Sequence, residues 1–420
     1  MPDASAPSLM TFHTVLGDTA LRFRGLSAVE ELGRPYEFVV QADSDAVDVV
    51  LADLLGTPAA VSVQLPDDSR RYFHGLVASA GLDGASGKRC AWRLVLRPWL
   101  WLLTRRVDTR IFQGKSVDAI LTQVFDAYAH DVAFELSGSY PAFEYCVQYR
   151  ETDFNFVSRL MEQEGLYYYF RHTGQRHTLV VVDKMSAHAA YPGYASIAFR
   201  DSADAATDLE SIDQWRTRLE VQPGKVTLRD YDFTRPDTLL ESAHPSSRQG
   251  AKPAFEHYDP PGDYPDQAQG DRYAGLRMDE LDARHRQATG AGNARGIAVG
   301  HRFTLQDHPL AAQNAEHVVV STRIDARHSG YESGQGVVQF GCALPPSSLP
   351  TSSAPSAPRP SRACPGRRRP WWWARPATRS TPTNTAASRC SSTGTGWARK
   401  TRKARAGCAC RIRWPARASA

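Results

Sequence analysis

From residue 351 to residue 420 the chain contains no Leu, Val, Phe, Tyr or Met and a single Ile, so any hydrophobic core has to be assembled from residues 1–350. A segment with so little to bury cannot offset the entropy of ordering it, and a disordered tail is expected there. The same stretch holds 16 of the 50 Lys and Arg and no Asp or Glu, which leaves 34 basic against 45 acidic side chains, a net −11, in the first 350 residues. The formal charge of +5 thus averages an acidic body and a basic tail. Four of the seven Cys lie past residue 360, unlike the even spacing of a disulfide framework, so a reduced body is expected. No run approaches the roughly 18 apolar residues of a membrane span. The opening MPDASAPSLMTFHTVLGD lacks the basic and apolar regions of a signal peptide. These features predict a cytoplasmic protein with no stable membrane insertion.

Within the first hundred residues, ALRFRGLSAV, YEFVVQAD, AAVSVQLPD, YFHGLVASAG and CAWRLVLRP alternate or run apolar in short blocks. Turn signals at Gly33-Arg34-Pro35 and Pro66-Asp67-Asp68 separate them. Short strands at this spacing predict a sandwich or barrel. Over 116–128 the period changes: Val117, Ile120, Leu121, Val124 and Phe125 fall at helical spacing, with Ser116 as N-cap and Asp118 in the first turn. A second helix is predicted over 152–164, with Phe154, Val157, Leu160 and Met161 as its buried face. Asp153 favours its dipole and Gly165 stands at the C′ position. An aromatic strand follows over 166–170. On this reading Leu160→Ala should lose about 2–5 kcal/mol, and Arg159→Ala, on the wetter face, no more than about 0.5 kcal/mol if it has no partner.

The run from Glu151 to Phe170, ETDFNFVSRLMEQEGLYYYF, resembles the signature of VgrG-type spike proteins of bacterial type VI secretion systems and of the related phage tail hub proteins. The strands LRFRGLSAVEELGRPYEFVVQ are similar to that family's opening. So are Tyr231-Asp232-Phe233 followed by Pro236, a stretch over 277–286 read as helix, and a strand over 300–305 with His308-Pro309 behind it. The resemblance covers about residues 10–340. It implies an α+β, mainly β fold with two β-barrel tube-type domains, at 1–105 and 206–345, and a helix-containing α/β insertion at 106–205, followed by the basic tail at 346–420. It also implies a homotrimer that caps the hexameric tube protein of the apparatus, carries effector or tip proteins and is exported with them. Six barrels from three chains would match the rotation of a hexameric tube. The signature residues carried over are structural: Asp153, Phe154, Val157, Leu160, Glu164, Gly165, Tyr167, Tyr168 and Tyr169. A phage tail baseplate hub is the alternative within the same class.

Chemistry is sparse. Tyr167, Tyr168, Tyr169 and Phe170 could stack a ligand, but aromatics along a strand more often bury one face and wet the other. Glu162 and Glu164 lie two apart on a helix, do not face each other, and are expected to be solvated or between subunits. The 13 His include no HExxH, and Arg284-His285-Arg286 would oppose a cation. Gly290 to Gly300 is read as a flexible turn, because a strand follows where a phosphate loop needs a helix. No catalytic residue, cofactor or metal is assigned, and no hydrolase activity is expected.

The tail has two readings. Arg367-Arg368-Arg369 before Trp371-Trp372-Trp373 has the cationic and aromatic character of nucleic-acid binding. Its composition is equally what GC-rich DNA yields when read out of register. Trp has one codon, and Ala, Pro, Thr and Gly fix their first two bases. Joining each third base to the next two bases therefore turns the three Trp into valines. Continued to Gly396, with suitable Ser and Arg codons, this gives VVVGPAGDEIYTDEYGRIKVQFHWDR, which resembles the start of the OB-fold domain that follows a VgrG head. A frame change near residues 340–347 is therefore expected, in place of the OB-fold and needle, with no specific nucleic-acid recognition.

Overall fold

The computed structural model describes residues 9–45, 50–86, 89–201 and 209–329, together with the backbone of 337–348. The basic tail, with its Arg-Trp stretch and Cys364, Cys390, Cys408 and Cys410, lies outside the described residues.

Alternation builds the first sheet. Its strands are β1 (Met10–His13), β2 (Arg22–Glu31), β3 (Glu37–Ser44), β4 (Pro58–Gln64), β5 (Arg70–Ser86) and β6 (Arg89–Arg97). Phe38, Val40 and Ala42 on β3, and Cys90, Trp92, Leu94 and Leu96 on β6, turn inward while the residues between them are wetter. The strands pair antiparallel in the order β1-β4-β5-β6-β3-β2; β2 to β6 each begin within two residues of the position read from the sequence, and β1 was not read from it. After β6 a short 3-10 segment, Trp99–Arg105, drops Trp99, Leu100 and Leu103 into the core.

The middle of the chain runs β7 (Val107–Lys115), α1 (Val117–Phe125), β8 (Val132–Glu135), β9 (Phe143–Thr152), α2 (Asp153–Glu164), β10 (Tyr167–His172) and β11 (His177–Val182). The first predicted helix stops at Phe125. A 3-10 turn, Asp126–Tyr128, completes the stretch and ends at Ala129 in the left-handed region, φ 51°. Strands β7 and β9 make a two-stranded ribbon, while β10, β11 and β8 form a separate sheet in which β8 runs parallel to β11.

The remaining elements are β12 (Ser196–Ala198), β13 (Ile212–Leu219), β14 (Lys225–Asp230), β15 (Leu240–Pro245), β16 (Glu256–Asp259), α3 (Gln267–Ala283), β17 (Arg286–Gly292), β18 (Arg302–Gln306), β19 (Glu316–Val318), β20 (Ser321–Ser329) and β21 (Val337–Ser348). Strand β20 pairs with β2, setting Ala28 against Ile324, and the ladder continues through β21 and β17 to β13. Strands from both ends of the described chain therefore share one ten-stranded sheet. The backbone of β21 runs through the residues where the frame change was expected. Strands β14 to β16 and α3 close around a smaller core of Val226, Leu228, Leu240, Tyr264, Tyr273, Ala274, Met278 and Leu281. The protein is mainly β, of the α+β class.

Two later expectations need correction. The helix read over 277–286 is α3, which starts ten residues earlier at Gln267, capped by the Asp266 side chain accepting from the Gln269 N–H at 2.9 Å, and Arg286 already begins β17. Polar QAQGDR hides the start, because Gly270 is the one buried residue within it. Gly290 and Gly292 are strand residues. A Cβ on Gly292 would sit 2.2 Å from the Ser211 carbonyl, so that glycine serves close backbone approach, and the turn read over 290–300 begins only after it, ahead of β18.

Candidate functional site

Helix α2 starts where Thr152 caps it, its hydroxyl accepting from the Asn155 N–H at 3.1 Å. Asp153 follows and is fully buried, which the dipole role alone did not anticipate. Its Oδ1 accepts from Arg110 Nη2 (2.5 Å) and Gln148 Nε2 (2.8 Å), and its Oδ2 accepts from Tyr128 Oη (2.8 Å). Arg110 Nε also donates to Gln148 Oε1 at 2.9 Å. One carboxylate thus ties the helix to both strands of the β7/β9 ribbon and to the turn after α1. Burial, then the hydrogen bond and charge of Asp153, push the Tyr128 phenol well up, so it stays a donor.

The apolar stripe of α2 is Phe156, Val157, Leu160 and Met161, with Phe154 only partly buried. Phe156 replaces Phe154 as the central aromatic and stacks on Phe112 of β7, centroids 5.3 Å apart. Arg159 is not on an idle wet face. Its Nε and Nη2 grip the buried Glu151 carboxylate at 2.8–3.2 Å, and Nη2 also donates to the Val147 carbonyl at 2.7 Å. Arg159→Ala is therefore expected to cost about 1.5–3 kcal/mol, the scale of hydrogen bonds to a charged group, in place of the half kilocalorie assigned to a free surface residue. Thermal melting of Arg159→Ala beside Leu160→Ala checks this: a near-zero shift for the arginine would contradict the buried pairing.

At the far end of α2, Glu164 is buried, contrary to the solvated or inter-subunit place expected for it. Its Oε2 accepts from Arg272 Nη1 (2.5 Å), its Oε1 from Tyr273 Oη (2.6 Å), and its main-chain carbonyl from Arg272 Nη2 (3.0 Å). Both partners belong to α3. Burial and the Glu164 charge push the Tyr273 phenol up, which keeps it a donor. Gly165 ends α2 at φ 73°, and a Cβ there would meet Leu276 Cδ2 at 2.6 Å, so the position needs glycine for its dihedral and for the approach of α3.

Tyr167, Tyr168, Tyr169 and Phe170 are all buried, so both faces of β10 are dry and the one-wet-face expectation fails. The reason is location: β10 lies within the main core, where strands read as continuous apolar runs. Tyr167 Oη pairs with His188 Nε2 at 3.0 Å, Phe170 meets Tyr36 edge to face, and the Tyr169 ring fills the space a Cβ on Gly300 would need, at 2.4 Å. The Tyr168 hydroxyl is buried without a hydrogen-bond partner among the described residues.

A histidine cluster at this seam was not legible in the sequence. The Trp99 N–H donates to His177 Nε2 at 2.8 Å, so the neutral ring carries its proton on Nδ1 and donates to His74 Nδ1 at 2.9 Å. Beside them His172 Nε2 meets Glu30 Oε1 at 3.1 Å, and Arg71 Nη2 lies 3.6 Å from Glu30 Oε2. Burial would raise the Glu30 carboxyl, but the His172 hydrogen bond and the His172 and Arg71 charges hold it below its ordinary range. Burial, then the charge of His172, lowers His74 from its ordinary 6.5 to about 4, and His177 goes well below 6.5 for the same reasons and for the charge of His74. Both rings are neutral at pH 7. A lowered His adds stability that is full above 6.5 and is lost as pH falls toward 4, because the unfolded chain then binds protons the folded chain refuses. Melting temperature should fall from pH 7 to pH 4, and less steeply in His74→Gln. An equal slope in the two proteins would remove His74 from the account.

Among the described residues, no group of three or more His, Cys, Asp or Glu is placed to hold a metal ion. No described helix is long and apolar enough to cross a membrane. Cys90 and Cys146 are free and buried, and burial pushes the Cys146 thiol up to about 11. What the geometry offers is attachment, with each end of α2 fixed to a different segment.

The phage tail baseplate hub (GPD) family matches residues 29–330. The type VI secretion system spike protein VgrG1b of Pseudomonas aeruginosa is 41% identical over 336 residues, 80% of this chain and 45% of that protein. VgrG1a of the same organism is 41% identical over 322 residues, covering 76% and 50%. The chain spans about half the length of the curated relatives it matches. Among solved structures, the E. coli c3393 protein, a component of the type VI secretion system, superposes with a TM-score of 0.60 at 15% identity over 84% of this chain and 80% of its own. The 43 kDa tail protein of prophage MuSo2 from Shewanella oneidensis gives 0.57 at 11% over 80% and 97%.

Proposed function

The chain belongs to the phage tail baseplate hub (GPD) family and has a VgrG-type head, and from that premise we propose that its work is mechanical: it is the head of a type VI spike that caps a hexameric tube and carries effector or tip proteins. The observation that carries this reading is the double anchoring of α2, with Asp153 fixed to the β7/β9 ribbon and Glu164 to α3. Buried charged ties of this kind are costly to break one partner at a time, which suits a part that must transmit force. On this reading residues 1–105 and 206–345 supply two tube-type barrel regions, 106–205 the insertion between them, and three chains make the ring. The signature residues act structurally, and no intrinsic hydrolase activity is expected. The tail is read as a frame change at the point where the OB-fold of a VgrG-type protein would begin.

The test mixes the purified chain with tube protein of the apparatus and images the ends of the tubes. Capping at one end, with no turnover of peptidoglycan, lipid or nucleotide substrates, is the expected result. Bare tube ends would contradict the hub reading, and turnover abolished by a point substitution would contradict the non-enzymatic one. Retention on nucleic acid that vanishes with salt and shows no sequence preference is expected from the basic tail's charge alone.

A further inference from the structure

The β7/β9 ribbon has two unlike faces. Opposed residues of an antiparallel pair point the same way, so Phe112 with Cys146 and Arg110 with Gln148 face α2, while Thr109 with Tyr149, Ile111 with Val147 and Gln113 with Tyr145 face away. On the outward face Ile111 is 57% exposed and Tyr149 52%, and Val107 beside the register shift is 63% exposed. An antiparallel sheet with one solvated face ordinarily presents polar side chains there, so a cluster of exposed apolar ones marks a contact surface. Its rim is basic. Arg105 and Arg150 make no ion pair among the described residues, and Arg150, held at φ 50°, lies over the Tyr149 ring at 5.4 Å. The nearby Asp108 is already engaged by Arg106 and Arg110.

The complementary surface is on the same chain. The loops 230–239 and 259–266 meet at one end of the β15-β14-β16 sheet, where the Gly262 N–H donates to the Arg229 carbonyl at 3.0 Å and the Tyr264 N–H to Asp230 Oδ2 at 3.3 Å. Together they hold six Asp against Arg235 as their one Lys or Arg, and they expose Tyr231 (56%) and Leu239 (61%). Asp237 and Asp259 make no ion pair among the described residues.

We propose that the outer face of the β7/β9 ribbon is a contact between copies of this chain and receives the acidic 230–239/259–266 tip of its neighbour. Val107, Ile111 and Tyr149 bury against Tyr231 and Leu239, and the rim arginines meet Asp237 and Asp259. Because the two halves differ, each copy can offer one to each of two neighbours, and the contact repeated head to tail closes as a ring. The inference deepens the oligomeric part of the proposed function and rests on it.

Sedimentation velocity of the full chain over a concentration series tests it, using Arg150→Glu, Asp237→Arg and the two combined. All three change exposed side chains, and melting temperatures equal to the parent's establish that they fold. Each single reversal is expected to raise the concentration for half-association by about tenfold or more, and the combined variant to recover most of that, since opposite charges face each other again. Association that is unchanged in every variant would remove this contact while leaving the oligomer standing. Loss in the singles without recovery in the combined variant overturns the pairing with the acidic tip. A parent that stays monomeric at every concentration overturns both the contact and the oligomeric reading.

Discussion

Asp153→Ala is expected to destabilise the head by about 3–5 kcal/mol, because it removes one partner of a buried charged network and leaves the others stranded. Arg110 Nη2, Gln148 Nε2 and Tyr128 Oη all donate to this one carboxylate. After the substitution Gln148 in particular has no water to replace it, since it and Asp153 are both fully buried. Loss should be smaller in Asp153→Asn, which keeps a carbonyl oxygen in the Oδ1 position for Gln148 and Arg110 and forfeits the acceptor for Tyr128 and the charge opposite Arg110. Chemical denaturation of the parent and the two variants measures the order. An alanine variant as stable as the parent would mean that the network contributes no net stability.

Glu164→Ala is expected to act on a different part of the molecule. The cost is again about 3–5 kcal/mol for a broken buried pair, but the groups stranded are Arg272 and Tyr273 on α3, whose apolar face belongs to the smaller core and not to the main one. The expected outcome is local: residues 225–283 lose hydrogen-exchange protection while β2 to β6 keep theirs, the pattern of a sub-global opening. Equal loss across the two sets of strands would show that the smaller core has no independent stability.

These two residues also mark the limit of what the sequence reveals. Alternation in β2 to β6 and helical spacing in α1 and α2 are local signals, and the elements they predicted stand within a few residues of the observed bounds. The burial of Asp153 and Glu164 depends on donors up to 109 residues away, for which no spacing rule exists. Their charge also displaced the reading of the helix face. The buried stripe is Asp153, Phe156, Val157, Leu160, Met161 and Glu164, a regular three-and-four pattern closed at both ends by carboxylates. Read for hydrophobicity alone it loses its ends and slips to Phe154. The histidine pair escaped for a similar reason: His74 and His177 lie 103 residues apart on strands whose pairing partners are otherwise ordinary. The tail's composition was legible, but its structure lies outside the described residues.

The central claim is that the anchored head works as part of a spike. It is tested by a strain whose only spike gene is this one with the frame restored by a single nucleotide near residues 341–346, scored for release of its tube protein. Restoration is expected to recover release, Asp153→Ala in the restored gene to abolish it, and the unrepaired 420-residue chain to fail. Release supported by the unrepaired chain, or left intact by Asp153→Ala, would contradict the account.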